Sequence, residues 1–468
     1  MSKAQADVIV VGGGNAAFCA ALAAQEQGAS VIMLEAAPEE ESGGNSRYTA
    51  GSVRVVYNGV DDVKTLVPDL TEQEIATTDF GTYTADQFFD DMARVTQNRA
   101  DPDLVELMIM RSLDTFCWLR DKGIRFIPIY GRQAFKIEGK FKFWGGLTVE
   151  AVGGGPGLIK MLTEAAARRG IEIRYATRAL KLLFDGVGVH GVRVRHDGVE
   201  NDIEGRSVVL ACGGFESNSE WRTRYLGPGW DLAKVRGTRF NNGDGIRMAM
   251  DIGASPCGNW SGCHAVQWEM NAPEFGDLAV GDQFQKHSYP FAILINAHGK
   301  RFVDEGADFR NYTYAKYGRV VLEQPGQFAW QIFDHKVKHL QRDEYRIRQI
   351  TKVTANTIEE FAKKLEGVNA AEFIKTIKEW NAAVKTDVPF NPNIKDGRCT
   401  QGLAINKSNW ANTIDAPPFE GYAVTCGVTF TFGGLRINTD AEVVNTDYQP
   451  IRGLYAAGEL VEIGRAHV

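Results

Sequence analysis

The sequence predicts an α/β fold opened by a strand, a glycine turn, a helix and a second strand, and three features carry that expectation. Asp7-Val8-Ile9-Val10-Val11 is a short, mostly β-branched run of the kind that forms a buried strand. Gly12-Gly13-Gly14-Asn15-Ala16-Ala17 follows at once and leads into an Ala-rich stretch with helical period. A second apolar run, Ser30-Val31-Ile32-Met33-Leu34, ends in Glu35, an acid about 20 residues beyond the glycines and placed to accept a ribose hydroxyl. Together these read as a dinucleotide site. Gly12 and Gly14 let the backbone turn tightly and approach a pyrophosphate, which then sits on the positive end of the helix. Ala17 stands where a third glycine often stands, and a close helix–strand contact tolerates it.

The remaining elements follow in order. Ser42-Gly43-Gly44-Asn45-Ser46-Arg47 is a small polar loop, and 60–125 reads as helical. Asp101-Pro102 starts a helix whose apolar face is expected at Leu104, Leu107, Met108 and Trp118. Gly153-Gly154-Gly155-Pro156-Gly157 opens a helix through Arg169, and Glu172-Ile173-Arg174-Tyr175 is a third parallel strand. Residues 178–211 alternate like antiparallel strands and end in Cys212-Gly213-Gly214-Phe215. Thus 1–254 forms a nucleotide domain. From 255 the composition shifts toward Trp, His, Asn and Pro, and 255–411 reads as an inserted domain with a strand at Phe291–Asn296 and helices near 357–366 and 369–385. Within 412–461 the nucleotide fold resumes at Tyr422 and reaches Tyr455-Ala456-Ala457-Gly458-Glu459, a strand entering a glycine turn.

The 468 residues allow two or more domains. Net charge is −7, from 52 basic and 59 acidic residues with no basic block, which argues against nucleic acid as a partner. No run reaches about 18 apolar residues, so no membrane span is expected, and the first strand begins too early to leave room for a signal peptide. Seven cysteines without C-x-x-C spacing fit reduced thiols in a cytoplasmic enzyme. Cys263 adjoins His264 but lacks further ligands at metal spacing, so no metal is expected.

An early glycine turn paired with a late Tyr-Ala-Ala-Gly-Glu turn argues for FAD over NAD, because a long flavin needs backbone contacts from both ends of the chain. The order of Gly12–Ala17 with Glu35, Gly44-Asn45-Ser46, Ala211–Phe215, Asn242-Gly243-Asp244-Gly245, Gly299–Glu305, Thr431-Phe432-Gly433-Gly434 and Ala456–Glu459 resembles the flavoprotein family of fumarate reductase and succinate dehydrogenase over nearly the whole chain. The resemblance implies a Rossmann-like FAD-binding domain interrupted by an α+β capping domain that closes over the flavin. The FAD contacts it implies are Gly12, Gly14, Asn15, Ala16, Glu35, Gly44, Asn45, Ser46, Gly213, Asp244, Gly458 and Glu459. No histidine stands in Gly44–Arg47, where some members attach the flavin, so the FAD is expected to be non-covalent.

Within that family, Ser261–Val266, Asp308–Tyr317 and Val424–Gly434 are most similar to the tricarballylate dehydrogenases, implying desaturation of a small tricarboxylate to cis-aconitate. Arg310 matches the family's proton-transfer arginine, His264 its first substrate-binding histidine and Thr431 a substrate-contacting threonine. Arg310 and His264 are therefore the expected catalytic residues, and both also bind the polyanionic substrate with Thr431. The chain departs from the family elsewhere. Phe430 replaces a second histidine, and the proton relay's Glu and Arg fall near Gln285 and Ser288, with Lys286 and His287 close by. Fumarate or enoate reduction, or a ketosteroid desaturase using Tyr312, Tyr314 or Tyr317, are alternatives on the same scaffold; the polar 261–287 segment argues against a steroid. The resemblance further implies a separate iron–sulfur or haem-bearing membrane electron acceptor, and a cytoplasmic protein peripheral to the inner membrane face. Family members continue past the Gly-Glu turn into a glycine loop and a helix. Here Glu462–Val468 equals the translation of a common sequencing adapter (GAG ATC GGA AGA GCA CAC GTC), so the expectation is a non-native tail, a gene cut near Val461 and, as a further alternative, an inactive flavin-binding fragment.

Overall fold

The computed structural model describes residues 5–461 except 138, 144, 145 and 147, with the backbone alone at 132, 135 and 137. The expected adapter-encoded tail lies outside the described residues. Two compact units are present. One falls within Met1–Gly227, Gly237–Cys263 and Phe430–Val468; the other comprises Pro228–Arg236 and His264–Thr429.

The first unit is the expected α/β fold. Strand Ala6–Val11 lies between Val31–Leu34 and the end of Val199–Leu210, all parallel, with Val11 opposite Leu34 on one side and Leu210 on the other. Glu172–Arg174 extends the parallel set beyond Val31–Leu34, and Pro450–Ala456 extends it beyond Val199–Leu210. Alternation buries the sheet on both faces, as parallel sheets require. Val10 and Met33 pack with Ala17, Phe18, Ala21 and Leu22 of helix Asn15–Glu26. Ile9, Val11, Ile32, Leu34, Val208, Leu210 and Leu454 form the core of the opposite face. Each such side chain contributes roughly 1.5–3 kcal/mol on burial. The register has a functional consequence. Val11, Leu34, Leu210 and Ala456 end at one edge of the sheet, so Gly12, Glu35, Gly213 and Glu459 emerge together at the carboxyl ends of the strands, where open α/β sheets bind ligands.

Val199–Leu210 does double duty. Its first half closes the expected antiparallel run with Thr177–Phe184 and Val189–His196, and its second half joins the parallel sheet. The expected helical stretch resolves into Val60–Leu66, Glu72–Thr77, Ala85–Thr96 and Pro102–Asp121. Thr71 and Thr84 build capping boxes, and Asp101 accepts from the Asp103 and Leu104 amides. The buried face of Pro102–Asp121 keeps Leu104 as expected, with Met108 and Trp118 partly buried against the same core, and adds Val105, Ile109 and Leu119, while Leu107 is 37% exposed. The stripe follows the i, i+4 row through Val105 and Ile109, which the added apolar residues at 107 and 108 obscure in the sequence.

In the second unit, strands Phe419–Leu435, Ala329–Phe333 and Ile293–Ile295 pair in sequence, and Lys234–Val235, Pro256–Glu269 and Lys352–Ala355 also pair with Phe419–Leu435. Helices Ile358–Lys364 and Ala370–Ala383 bury Phe361, Phe373, Ile377 and Trp380 against this sheet. Tyr422 does not restart the nucleotide fold as expected; it pairs with Gln331 and Lys352 in the second unit's sheet. Its run, Phe419–Leu435, is one strand of 17 residues, and the first unit is re-entered at Phe430 within it. The segment read as 255–411 likewise compares with a second unit whose ends fall inside the long strands Pro256–Glu269 and Phe419–Leu435, where no turn residues mark a boundary. Among the described residues no helix is long and apolar enough to cross a membrane.

Candidate functional site

At the carboxyl ends of the first unit's parallel strands lies an open cavity. Gly12, Gly14, Asn15, Ala16, Glu35, Gly44, Asn45, Ser46, Gly213, Asp244 and Glu459 all line it. Gly458 stands just behind: its φ is +83°, and a methyl built on it would come 2.6 Å from the Ala16 Cβ. Gly12 has φ +124°, and a methyl there would overlap the Ala211 carbonyl. Gly14 has no neighbour closer than 3.6 Å to such a methyl, so the cavity reaches its backbone. Helix Asn15–Glu26 has no side-chain cap and no acid in its first turn, and the Asn15 amide donates to Ser46 Oγ at 3.1 Å. An uncapped helix start free of negative charge suits an anion.

Glu35 is 6% exposed; its Oε1 accepts from the Ala37 amide at 2.7 Å, and burial pushes its carboxyl up to about 7. Asp244, at the start of Asp244–Met250, takes Arg178 in a two-point contact of 2.8 and 3.0 Å. Asn45 lies in the short 3₁₀ turn Gly44–Tyr48; its Nδ2 donates to Glu216 Oε1 at 2.6 Å, and its Oδ1 accepts from the Thr238 amide at 2.9 Å. Thr431 is 3% exposed, its Oγ1 accepting from the Phe215 amide at 3.2 Å and its own amide donating to Glu459 Oε1 at 3.1 Å. Sequence reasoning passed over Glu216 and Asn241. The signal for Asn241 was its place beside Asn242-Gly243-Asp244-Gly245; a Glu after Gly-Gly-Phe carries none.

The second unit holds a different assembly. Arg310, in the turn Arg310–Tyr312, donates from NH2 to Asn311 Oδ1 at 2.7 Å and from NH1 to His287 Nδ1 at 3.4 Å. Its guanidinium lies 5.4 Å from the Tyr314 ring centre, and the His264 and His287 rings meet Tyr314 edge-on at 5.0 and 5.1 Å. Burial, then repulsion by Arg342, hold Arg310 down at about 10. Burial, followed by Arg310, Arg236 and Arg342, holds His287 well below the usual imidazole range. His287 is therefore neutral at neutral pH. Because Nδ1 accepts from Arg310, the ring proton is assigned to Nε2, which is buried and meets no hydrogen-bond partner among the described residues.

Of Lys286 and His287, the two neighbours of the relay positions, only His287 is brought to Arg310. Lys286 turns the other way and donates to the carbonyls of Gln283, Phe284 and Gln285 at 3.3, 3.2 and 3.2 Å. Gln285 donates to Asp282 at 3.3 Å, and Ser288 Oγ accepts from the Arg342 amide at 3.1 Å, both contacts that shape the loop. Tyr317 donates to the Asp304 carbonyl at 2.6 Å, Tyr312 is 39% exposed, and Tyr289, unnoticed in the sequence, shares a 2.5 Å hydrogen bond with Thr313. Phe430, where the family carries a histidine, packs on Phe432 at 5.8 Å. All seven cysteines are free thiols, and no described group of His, Cys, Asp and Glu could hold a metal.

The family described as "FAD binding domain" matches residues 7–467. The probable fumarate reductase Ifc3 of Shewanella frigidimarina is 30% identical over 391 residues, covering 80% of this chain and 58% of that protein. The 3-oxosteroid 1-dehydrogenase of Mycobacterium tuberculosis is 27% identical over 336 residues, covering 66% and 58%. The open conformation of a flavocytochrome c3 fumarate reductase superposes with a TM-score of 0.74 at 28% identity, over 98% of this chain and 73% of that one. The chain thus spans less than two thirds of the length of the curated relatives named here.

Proposed function

We infer the function from a family premise: this chain belongs to the FAD binding domain family, and its cofactor is FAD. We propose that it is an oxidoreductase that moves hydrogen across a carbon–carbon bond beside a carboxylate of a small polycarboxylate. The observation that carries this reading is the Arg310 guanidinium of the second unit, which donates to the neutral His287 and forms no ion pair among the described residues, while Arg236 and Arg342 nearby are paired with Asp282 and Glu344 at 3.6 and 3.3 Å. A desolvated cation without a counter-ion calls for an anion that neutralises it and satisfies its donors.

The residues of the first unit fit FAD. Gly12, Gly14, Asn15 and Ala16 offer amides and space to a diphosphate, Glu35 accepts from a ribose, and Gly44, Asn45, Ser46, Gly213, Asp244, Gly458 and Glu459 complete the contacts. Without a histidine in Gly44–Arg47, the cofactor is held non-covalently. The chemistry FAD supplies when bound is two-electron exchange with a substrate carbon.

The proton is the protein's task. A guanidinium held down at about 10 gives up its proton more readily than an ordinary one. His287 Nδ1 accepts from NH1 and, staying neutral, fixes the orientation of the guanidinium without compensating its charge. His264 orients a substrate carboxylate within the second unit, and Thr431 keeps the substrate-contacting role that the family resemblance implies for it. The relatives' names support a fumarate-type or enoate substrate more directly than tricarballylate, which remains the second polycarboxylate reading. A steroid reading draws support from the 3-oxosteroid relative, but the Tyr289 and Tyr317 hydroxyls are engaged by Thr313 and Asp304, and a ketone supplies no negative charge to Arg310. Electrons exchange with a haem or iron–sulfur carrier outside the described residues.

Anaerobic mixing tests the proposal through the flavin absorbance. Reduced holoprotein is expected to be reoxidised by fumarate or cis-aconitate, and oxidised holoprotein to be bleached by succinate or tricarballylate. Bleaching by a 3-ketosteroid alone would overturn the polycarboxylate reading. Bound flavin unresponsive to every compound would mark the chain as an inactive fragment.

A further inference from the structure

Behind the cavity wall of the first unit, two carboxyl groups face each other. Glu216 is 0% exposed, and its Oε1 accepts from Asn45 Nδ2 and Asn241 Nδ2, both at 2.6 Å. Its Oε2 is buried and meets no donor among the described residues. Beside it stands Glu459, whose Oε1 accepts from the Thr431 amide at 3.1 Å. Gly214 permits the encounter: a methyl there would overlap Glu459 Oε1 and Thr431 Oγ1 and stand 2.8 Å from Glu216 Oε2. Neither carboxylate forms an ion pair with a described cation. Arg222 donates to the main-chain carbonyl of Glu216 at 2.7 Å, and Arg178 is engaged by Asp244. Two adjacent buried negative charges without a counter-ion are not tolerated, and an orphaned acceptor beside a second carboxylate is satisfied by one proton between them.

We propose that Glu216 and Glu459 share a proton, that Glu216 is a positioning residue which in this state aligns Asn45, Asn241 and Glu459 for FAD, and that FAD binding is linked to proton uptake by the pair. The directions agree with the geometry. Burial raises both carboxyls, and the charge of Glu216 raises Glu459 further. Asn45, Asn241 and Glu459 all line the cavity, so a single buried carboxyl fixes three of its side chains. Filling the cavity takes Glu459, which lines it, out of water, and that desolvation favours the protonated pair. The affinity for FAD is then highest when the pair holds its proton. It falls by up to about tenfold per pH unit as pH rises between the pair's free and bound values. Glu35 is the other titrating group of the cavity. A ribose hydroxyl donating to it favours its ionised form, so it contributes a slope of opposite sign that is common to the wild type and to a Glu216 variant.

The test is FAD binding to apoprotein, followed by flavin fluorescence from about pH 6 to about pH 9 and by calorimetry in two buffers of different ionisation enthalpy. Wild type is expected to take up a proton on binding toward about pH 9, where the free pair begins to lose its proton and Glu35 is already ionised. Glu216→Gln is a neutral isostere: its carbonyl keeps the two asparagine donors, and its amide N–H replaces the shared proton toward Glu459. It is expected to bind FAD with the proton uptake lost and the alkaline weakening reduced by up to about tenfold per pH unit relative to wild type. Equal uptake in both proteins would overturn the inference, as would folded Glu216→Gln that binds no FAD. The calorimetric count on wild type at about pH 9, where Glu35 is already ionised, stands on its own if the variant fails to fold: no proton taken up there while FAD binds overturns the linkage. Wild type that binds no FAD would overturn the cofactor assignment together with it.

Discussion

The first unit's cavity and the second unit's cation cluster solve opposite problems. The cavity is lined largely by backbone: glycines at 12, 14 and 213, an uncapped helix start, and carboxyls that are buried or already paired. The cluster is made of long side chains drawn from separate segments at 236, 264, 287, 310 and 342, with its guanidinium and imidazole held away from their ordinary protonation by desolvation and mutual repulsion. The difference teaches where each kind of site is vulnerable. A backbone-built cavity fails when volume is added; a charge-built cluster fails when one partner is removed.

The largest expected effect breaks the cluster alone. Arg310→Ala should lower kcat by about 10³-fold or more while FAD content and thermal stability stay near wild type, because it removes the proton-bearing group. Normal turnover would dissolve the contrast. Gly12→Ala should break the cavity alone. Its φ of +124° and the overlap with the Ala211 carbonyl make the substitution costly by about 2 kcal/mol or more, read as lost FAD and a lower Tm. His287→Ala sharpens the assignment of the residue that positions Arg310. A loss of kcat of about 10²-fold, with FAD affinity unchanged, is expected; a loss no larger for it than for Lys286→Met would move that role elsewhere.

A fourth prediction concerns pH and the apoprotein. Glu35 has a folded-state value of about 7 against 4.5 unfolded, so the folded state binds the extra proton in that window. Stability is full below about pH 4.5 and falls as pH rises toward about 7, by about 3 kcal/mol in total. Glu35→Gln should remove that slope from the apoprotein melting profile. The smallest effect is expected at the cavity's rim: Arg178→Ala deletes a half-exposed ion pair with Asp244, worth under about 1 kcal/mol.

The same contrast explains what was legible in the sequence. Gly12, Gly14 and Glu35 follow from local order, because strand, turn and helix are contiguous and their chemistry belongs to the backbone. Glu216 was hidden because its meaning depends on Asn45 and Asn241, which only the folded chain brings to it. Arg310 and His264 were found through family resemblance, and nothing in spacing could choose between Lys286 and His287. These neighbours lie in an irregular loop, where no period dictates that one side chain turns to Arg310 and the other to main-chain carbonyls. The exposed Leu107 of Pro102–Asp121 and the misplaced restart at Tyr422 share a cause: continuous apolar runs do not reveal which neighbour they pack against.

The two-part strand Val199–Leu210 has a practical consequence for protein engineering. Its hairpin tip at Asp197-Gly198 is exposed and precedes all parallel pairing, so a peptide epitope grafted there leaves the nucleotide sheet untouched. One residue inserted between Gly205 and Leu210 would instead invert the side chains that follow and slide Gly213 out of step with its neighbours.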